Sequence, residues 1–133
     1  MGILGGNPST QDSCNVPVLQ NGVTVNTTGA AGSTTITIPA GGPGTTAYLS
    51  AFEIYSGGAT AGAILSCTIT GLLGGTITIP IAVPTGVILA APYTWVAYDV
   101  AIPAAATNAT IVLTIPAAAG RTICAGTLRG FYL

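Results

Sequence analysis

Residues 34–38 read Thr34-Thr35-Ile36-Thr37-Ile38. The alternation is strict and puts Ile36 and Ile38 on one face, the period of a half-buried β-strand. A turn, Ala40-Gly41-Gly42-Pro43-Gly44, follows, and then a second strand-like run, Ala47 to Tyr55, closed by Ser56-Gly57-Gly58. The same alternation of strand and turn continues in both directions. Upstream lies Val23–Thr27. Downstream lie Ala63–Thr70, Thr76–Val83, the short Val87–Ala90, Thr94–Ala101, Thr110–Ile115 and Thr122–Leu133. Short strands at such spacing, with Gly and Pro between them, predict an all-β protein: a single antiparallel β-sandwich, jelly-roll-like, of eight to nine strands. No long stretch carries a helical period. Residues 1–22 hold only scattered apolar side chains and read as an extended N-terminal arm ahead of a sandwich domain, 23–133.

Proline punctuates the pattern. Thr37-Ile38-Pro39, Thr78-Ile79-Pro80 and Thr114-Ile115-Pro116 read as strand ends followed by a residue that cannot extend a ladder. Because Pro80 interrupts an apolar run, that strand is placed at an edge or a bend. With no lysine in the chain, proline and glycine must discourage uncontrolled edge pairing.

Charged residues make up 4% of the 133 residues, where an ordinary domain carries about 25%. They are Asp12, Glu53, Asp99, Arg121 and Arg129. Ala and Thr contribute 21 residues each and Gly 19. A 13.0 kDa monomer exposes roughly 6,300 Å². The five charges therefore leave about one per 1,300 Å², against roughly 800 Å² per partner in a typical interface. A charge-free patch of interface size is expected, and it points to assembly.

The same inventory removes most chemistry. Without histidine there is no His general base, no Ser-His-Asp triad and no Cys-His dyad. Without lysine there is no Schiff base or P-loop lysine. Glu53 and Asp99 are the remaining candidate carboxylate pair for a glycosidase, but both sit in apolar runs rather than in a polar, aromatic cleft. No catalytic, cofactor or metal residues are expected. Two arginines and a net charge of −1 do not hold a phosphate backbone, so no nucleic-acid partner is expected. Gly and Pro break every apolar run before it reaches about 20 residues, so no membrane-spanning helix is expected. The N-terminus lacks a basic region and an apolar core, so no signal peptide is read there and synthesis in a cytoplasm is expected.

Cys14, Cys67 and Cys124 show no metal-ligand spacing. Cys67 and Cys124 read as small buried strand residues, and Cys14, in the arm, as the one open to reaction. Asn26-Thr-Thr and Asn108-Ala-Thr match a glycosylation pattern by coincidence in a Thr-rich chain. Three Thr-x-Thr pairs, 35/37, 68/70 and 76/78, are too scattered for an ice-binding ladder and reflect β propensity.

Candidate interface residues follow from what cannot stand alone. Ile3, Leu4, Val16, Val18 and Leu19 cannot form a core by themselves and are expected to dock on a partner. The tail Phe131-Tyr132-Leu133 must be anchored under its own domain or on a neighbour. Glu53 is read on one face with Ala47, Leu49, Ala51 and Tyr55. Asp99 is read with Trp95, Ala97 and Ala101, and Arg129 with Thr127, Phe131 and Leu133. Each charge is paired, across a subunit boundary in the functional reading, or wet. Of the aromatic residues, Phe52 and at least one of Trp95 and Tyr98 are expected in the core; Asn7–Asn15 and Tyr93–Trp95 would otherwise be loops for a glycan.

Three segments also carry a resemblance. They are Ala-Tyr-Leu-Ser-Ala-Phe-Glu-Ile (47–54), Thr-Gly-Leu-Leu-Gly-Gly-Thr-Ile-Thr (70–78) and Ala-Ala-Ala-Thr-Asn-Ala-Thr-Ile-Val-Leu-Thr-Ile-Pro (104–116). In style and order the chain resembles the small Thr/Gly/Ala-rich β-sandwich proteins of tailed bacteriophages that act as capsid decoration, or cement, proteins. The resemblance covers about two-thirds of the chain and implies a homotrimer on the outer capsid surface of a virion, bridging major capsid protein subunits. The arm would then reach a neighbour and add avidity. A fibre or tail module binding a host glycan, and a self-assembling shell or filament subunit, are the rival expectations.

Overall fold

The computed structural model describes residues 22–86 and 93–133. Within them lie eight strands and no helix: β1 (Gly22–Gly29), β2 (Thr34–Ile38), β3 (Ala47–Gly57), β4 (Ala63–Thr70), β5 (Ile77–Val83), β6 (Tyr93–Pro103), β7 (Ile111–Ile115) and β8 (Ile123–Tyr132). They form two four-stranded antiparallel sheets, one in the order β1-β8-β3-β6 and the other β2-β7-β4-β5. The predicted strand at Val87–Ala90, the arm up to residue 21, and its candidates Ile3, Leu4, Val16, Val18 and Leu19 lie outside the described residues, as does Cys14; Gly22, read as the end of the arm, already belongs to β1.

The sheets face each other across one apolar layer. β2 supplies Ile36 and Ile38, β7 supplies Ile111, Leu113 and Ile115, and β4 supplies Cys67 and Ile69. Leu49, Phe52 and Ile54 of β3 and Leu128 of β8 close on them from the first sheet. Burying a side chain of this size contributes about 1.5–3 kcal/mol. The approach is tight at Gly126 of β8, where a Cβ would stand 2.6 Å from Ile36 Cδ1.

Pro39 and Pro116 follow the last residues of β2 and β7, as expected. Pro80 does not end its strand. It lies inside β5, exposed, paired with Ser66. β5 is an edge of its sheet among the described residues, and there a missing N–H removes no interior ladder bond.

Two irregularities correct the face assignments. β3 is bulged between Leu49 and Ala51. Ala47 and Leu49 point inward, and beyond the bulge the inward set becomes Phe52 and Ile54. Glu53 and Tyr55 therefore share a face with each other but not with Ala47 and Leu49. In β6, Ala97 pairs with Ala51 while Ile102 pairs with Leu49, so the intervening residues of β6 have no one-to-one partners. Asp99 keeps the face of Trp95 and Ala97 but stands in this looped-out part, exposed beside Val100.

The ends are closed by loops. At one end, Leu73 N–H donates to Pro103 O, Ala105 N–H to Gly71 O and Ala104 N–H to Ala47 O. Asn108 holds a positive φ of 57°, and its side-chain oxygen accepts from Gly42 N–H at 3.1 Å, a structural use for one of the two glycosylation-pattern asparagines. At the other end stands Arg121, 2% exposed. Its guanidinium donates to Ala30 O (2.7 Å), Gly32 O (2.7 Å) and Pro116 O (3.0 Å) and to Ser56 Oγ (3.4 Å).

Candidate functional site

The first sheet carries its functional groups outward on β3, β6 and β8. Register brings them together. Trp95 of β6 is the cross-strand partner of Glu53, which is in turn opposite Thr127 of β8, and Thr127 is opposite Asn26 of β1. One row away Tyr93 lies opposite Tyr55, and on the other side Ala51 lies opposite Arg129. Directly opposed side chains begin about 5 Å apart, and diagonal ones stay within reach when long.

Glu53 Oε1 accepts from Arg129 Nη2 at 3.2 Å, along that diagonal. The pair is formed inside one chain. Tyr93 stands diagonal to Glu53 across β3 and β6. Loss of hydration, then the negative charge of Glu53, pushes the Tyr93 phenol above its usual value, with Arg129 opposing. Ser50 Oγ donates to Arg129 O at 3.0 Å, which ties the bulge of β3 to the residue that carries the guanidinium. The Tyr93 and Tyr55 rings meet edge-on at 6.4 Å. A hollow of about 50 Å³ opens between Glu53, Tyr55, Tyr93 and Thr127. Trp95 remains 54% exposed and Tyr93 58%. Phe52 and Tyr98 instead turn inward, their centroids 6.3 Å apart. Tyr93–Trp95 thus opens a strand and is not a loop.

The tail is anchored in its own domain. Phe131 stacks on Tyr48 at 5.1 Å and 3°. The Tyr132 hydroxyl donates to Pro39 O at 2.8 Å. Leu133 exchanges backbone hydrogen bonds with Thr46, while its side chain stays exposed. A cleft of about 500 Å³ runs beside this tail, lined by Gly22, Val23, Ala40, Gly41, Thr45, Tyr132 and Leu133.

The outer face of the second sheet is of a different kind. Thr35, Thr114, Thr68 and Thr78 form one row across its four strands, and Thr37, Val112 and Thr70 a second. Ser66 lies opposite Pro80, and Ile64 opposite Ala82. Two of the Thr-x-Thr pairs, with Thr78 of the third, therefore meet on one surface. Sequence spacing alone could not bring them together, because β2 and β4 become neighbours only through β7. Among the described residues this face bears no charge: Glu53, Asp99 and Arg129 belong to the first sheet, and Arg121 is buried. A cleft of about 420 Å³ by Ile64, Ala82 and Pro84 borders it.

Cys67 and Cys124 are both buried on the inner faces. Burial, and secondarily Cys124, pushes the Cys67 thiol up to about 11, so it is a poor nucleophile near neutrality. Among the described residues no cluster of His, Cys, Asp and Glu could hold a metal ion. No protein-family model, curated protein or solved structure matches the chain.

Proposed function

We propose that this chain is a non-enzymatic virion structural protein, a decoration subunit that stabilises a phage capsid by burying uncharged surface against copies of itself and against the major capsid protein on the outer surface of the head. The observation that carries the reading is the outer face of β2-β7-β4-β5, which bears no charge among the described residues. A sheet surface of threonine hydroxyls and methyls with Ile64 and Val112 can be covered by another protein without stripping water from ions, the most costly part of most interfaces. The strand order supports a jelly roll: β1-β8-β3-β6 against β2-β7-β4-β5 is the order that two interleaved Greek keys produce. Jelly rolls serve in viral capsids and lectins alike, so the fold supports the class and the face selects within it. The carboxylates fit the non-enzymatic reading. Glu53 is engaged by Arg129, and Asp99 stands four residues along β6 from Glu53's partner Trp95. Stabilisation of the shell then follows from mass action on the assembled state.

The test is the mass of the full chain in solution under reducing conditions, for wild type and Thr68→Lys. Thr68 is central to the face, and a lysine there places a cation in the contact. The expected result is a closed homotrimer for wild type and a monomer with an unchanged circular dichroism spectrum for the variant. A wild-type monomer at every concentration, or a trimer indifferent to the lysine, would overturn the reading.

A further inference from the structure

We propose that the opposite face, the outer surface of β1-β8-β3-β6, carries a binding site for a neutral saccharide, built from Trp95, Tyr93, Tyr55, Glu53, Arg129 and Thr127. The site does not depend on the assembly reading, which uses the other sheet.

The geometry selects this ligand class. Trp95 and Tyr93 expose more than half of their surface where strands hold them in place, giving apolar platforms for the C–H face of a sugar ring. Beside them stand an acceptor and a donor of fixed orientation. The Glu53 carboxylate is held by Arg129, yet its side chain keeps 23% of its surface open, and the Arg129 side chain keeps 54%. A carboxylate accepts from several hydroxyls at once and a guanidinium has donors to spare. The two charges cancel, so the site favours a neutral molecule rich in hydroxyls over an anion or a cation. The hollow of about 50 Å³ between Tyr93 and Thr127 has room for a hydroxyl or hydroxymethyl group. A protein partner is disfavoured by the same pair. Covering Glu53 and Arg129 with a second copy would desolvate both ions, whereas sugar hydroxyls replace the water hydrogen bonds one for one.

Trp95 is the one tryptophan of the chain, so its emission reports on this site alone. The full chain is titrated with cellohexaose, maltohexaose, chitohexaose and mannohexaose, following Trp emission and, in parallel, calorimetry. The expected result is a saturable blue shift with at least one of them. Glu53→Gln should weaken that binding about tenfold or more, the loss expected when a charged acceptor is removed. Trp95→Ala should abolish the calorimetric signal with melting temperature unchanged, and Trp95→Phe should restore part of it. Failure of all four sugars to shift the emission overturns the proposal. So does binding that survives Trp95→Ala, and so does an emission shift that follows protein concentration without sugar, which would assign the face to a second copy.

Discussion

Arg121 joins parts of the chain that are far apart in sequence. Its guanidinium meets carbonyls of Ala30, Gly32 and Pro116 and the hydroxyl of Ser56, so one side chain ties the β1–β2 loop, the β7–β8 loop and β3. No carboxylate is among these partners; backbone dipoles carry the compensation. Lysine could not replace it, because a single ammonium lacks the planar fork that reaches several acceptors at once. Arg121→Met would orphan three carbonyls, each costing about 1–3 kcal/mol where water cannot follow. The expected loss is about 3–5 kcal/mol by urea denaturation, a large part of a typical domain's stability, with Arg121→Lys recovering only a fraction. An unchanged midpoint in Arg121→Met would mean that the clamp holds nothing. The sequence marks Arg121 as one of five charges and says no more, because its acceptors are main-chain groups that every residue possesses. Glu53 and Arg129 were legible as sparse charges on strands. Their partnership was not, since it depends on β3 and β8 being neighbours.

Strand existence was legible from strict alternation at Thr34–Ile38, and from strand-like runs bounded by turn residues at Ala47–Tyr55 and Thr110–Ile115. What alternation could not reveal is a skipped beat. Ser50 looks like any polar strand residue, yet the bulge beside it exchanges the two faces of β3 and moves Ala47 and Leu49 away from the face of Glu53. Pro80 was legible as an edge marker, although it sits within its strand and does not end it. Its role at that edge gives a prediction. Pro80→Val restores an N–H and a good strand former on an exposed edge of β5. The expected outcome is a thermal midpoint equal to or above wild type together with loss of monodispersity in light scattering as concentration rises. A variant as monodisperse as wild type would show that the edge is guarded by something else.

At the scale of the molecule, the lack of histidine leaves no unperturbed side chain to titrate between about pH 5 and 8, and the resolved shifts all fall on the alkaline side. Cys67 rises from 9.0 to about 11, and Tyr93, Tyr98 and Tyr132 rise above 10.0, each chiefly through lost hydration. Above pH 9 the unfolded chain releases protons that the native state retains. Stability present below that point is therefore lost as pH climbs through the folded values. Urea midpoints should hold level near neutrality and fall from about pH 9 upward, and a rise there would contradict the assignment. The topology has a consequence of another kind. β8, the last strand in the chain, lies at the centre of the first sheet between β1 and β3. A nascent chain stopped before Ile123 has only the β3–β6 pairing in that sheet, and the Arg121 acceptors lie up to 91 residues behind it. The first sheet must therefore wait until residue 132 has cleared the ribosome, and during that wait β1 and β3 stand open beside each other's future partner. For a strand-rich chain with so few charges to keep its neighbours apart, synthesis is the interval of greatest exposure, and the rate of elongation is itself a determinant of yield.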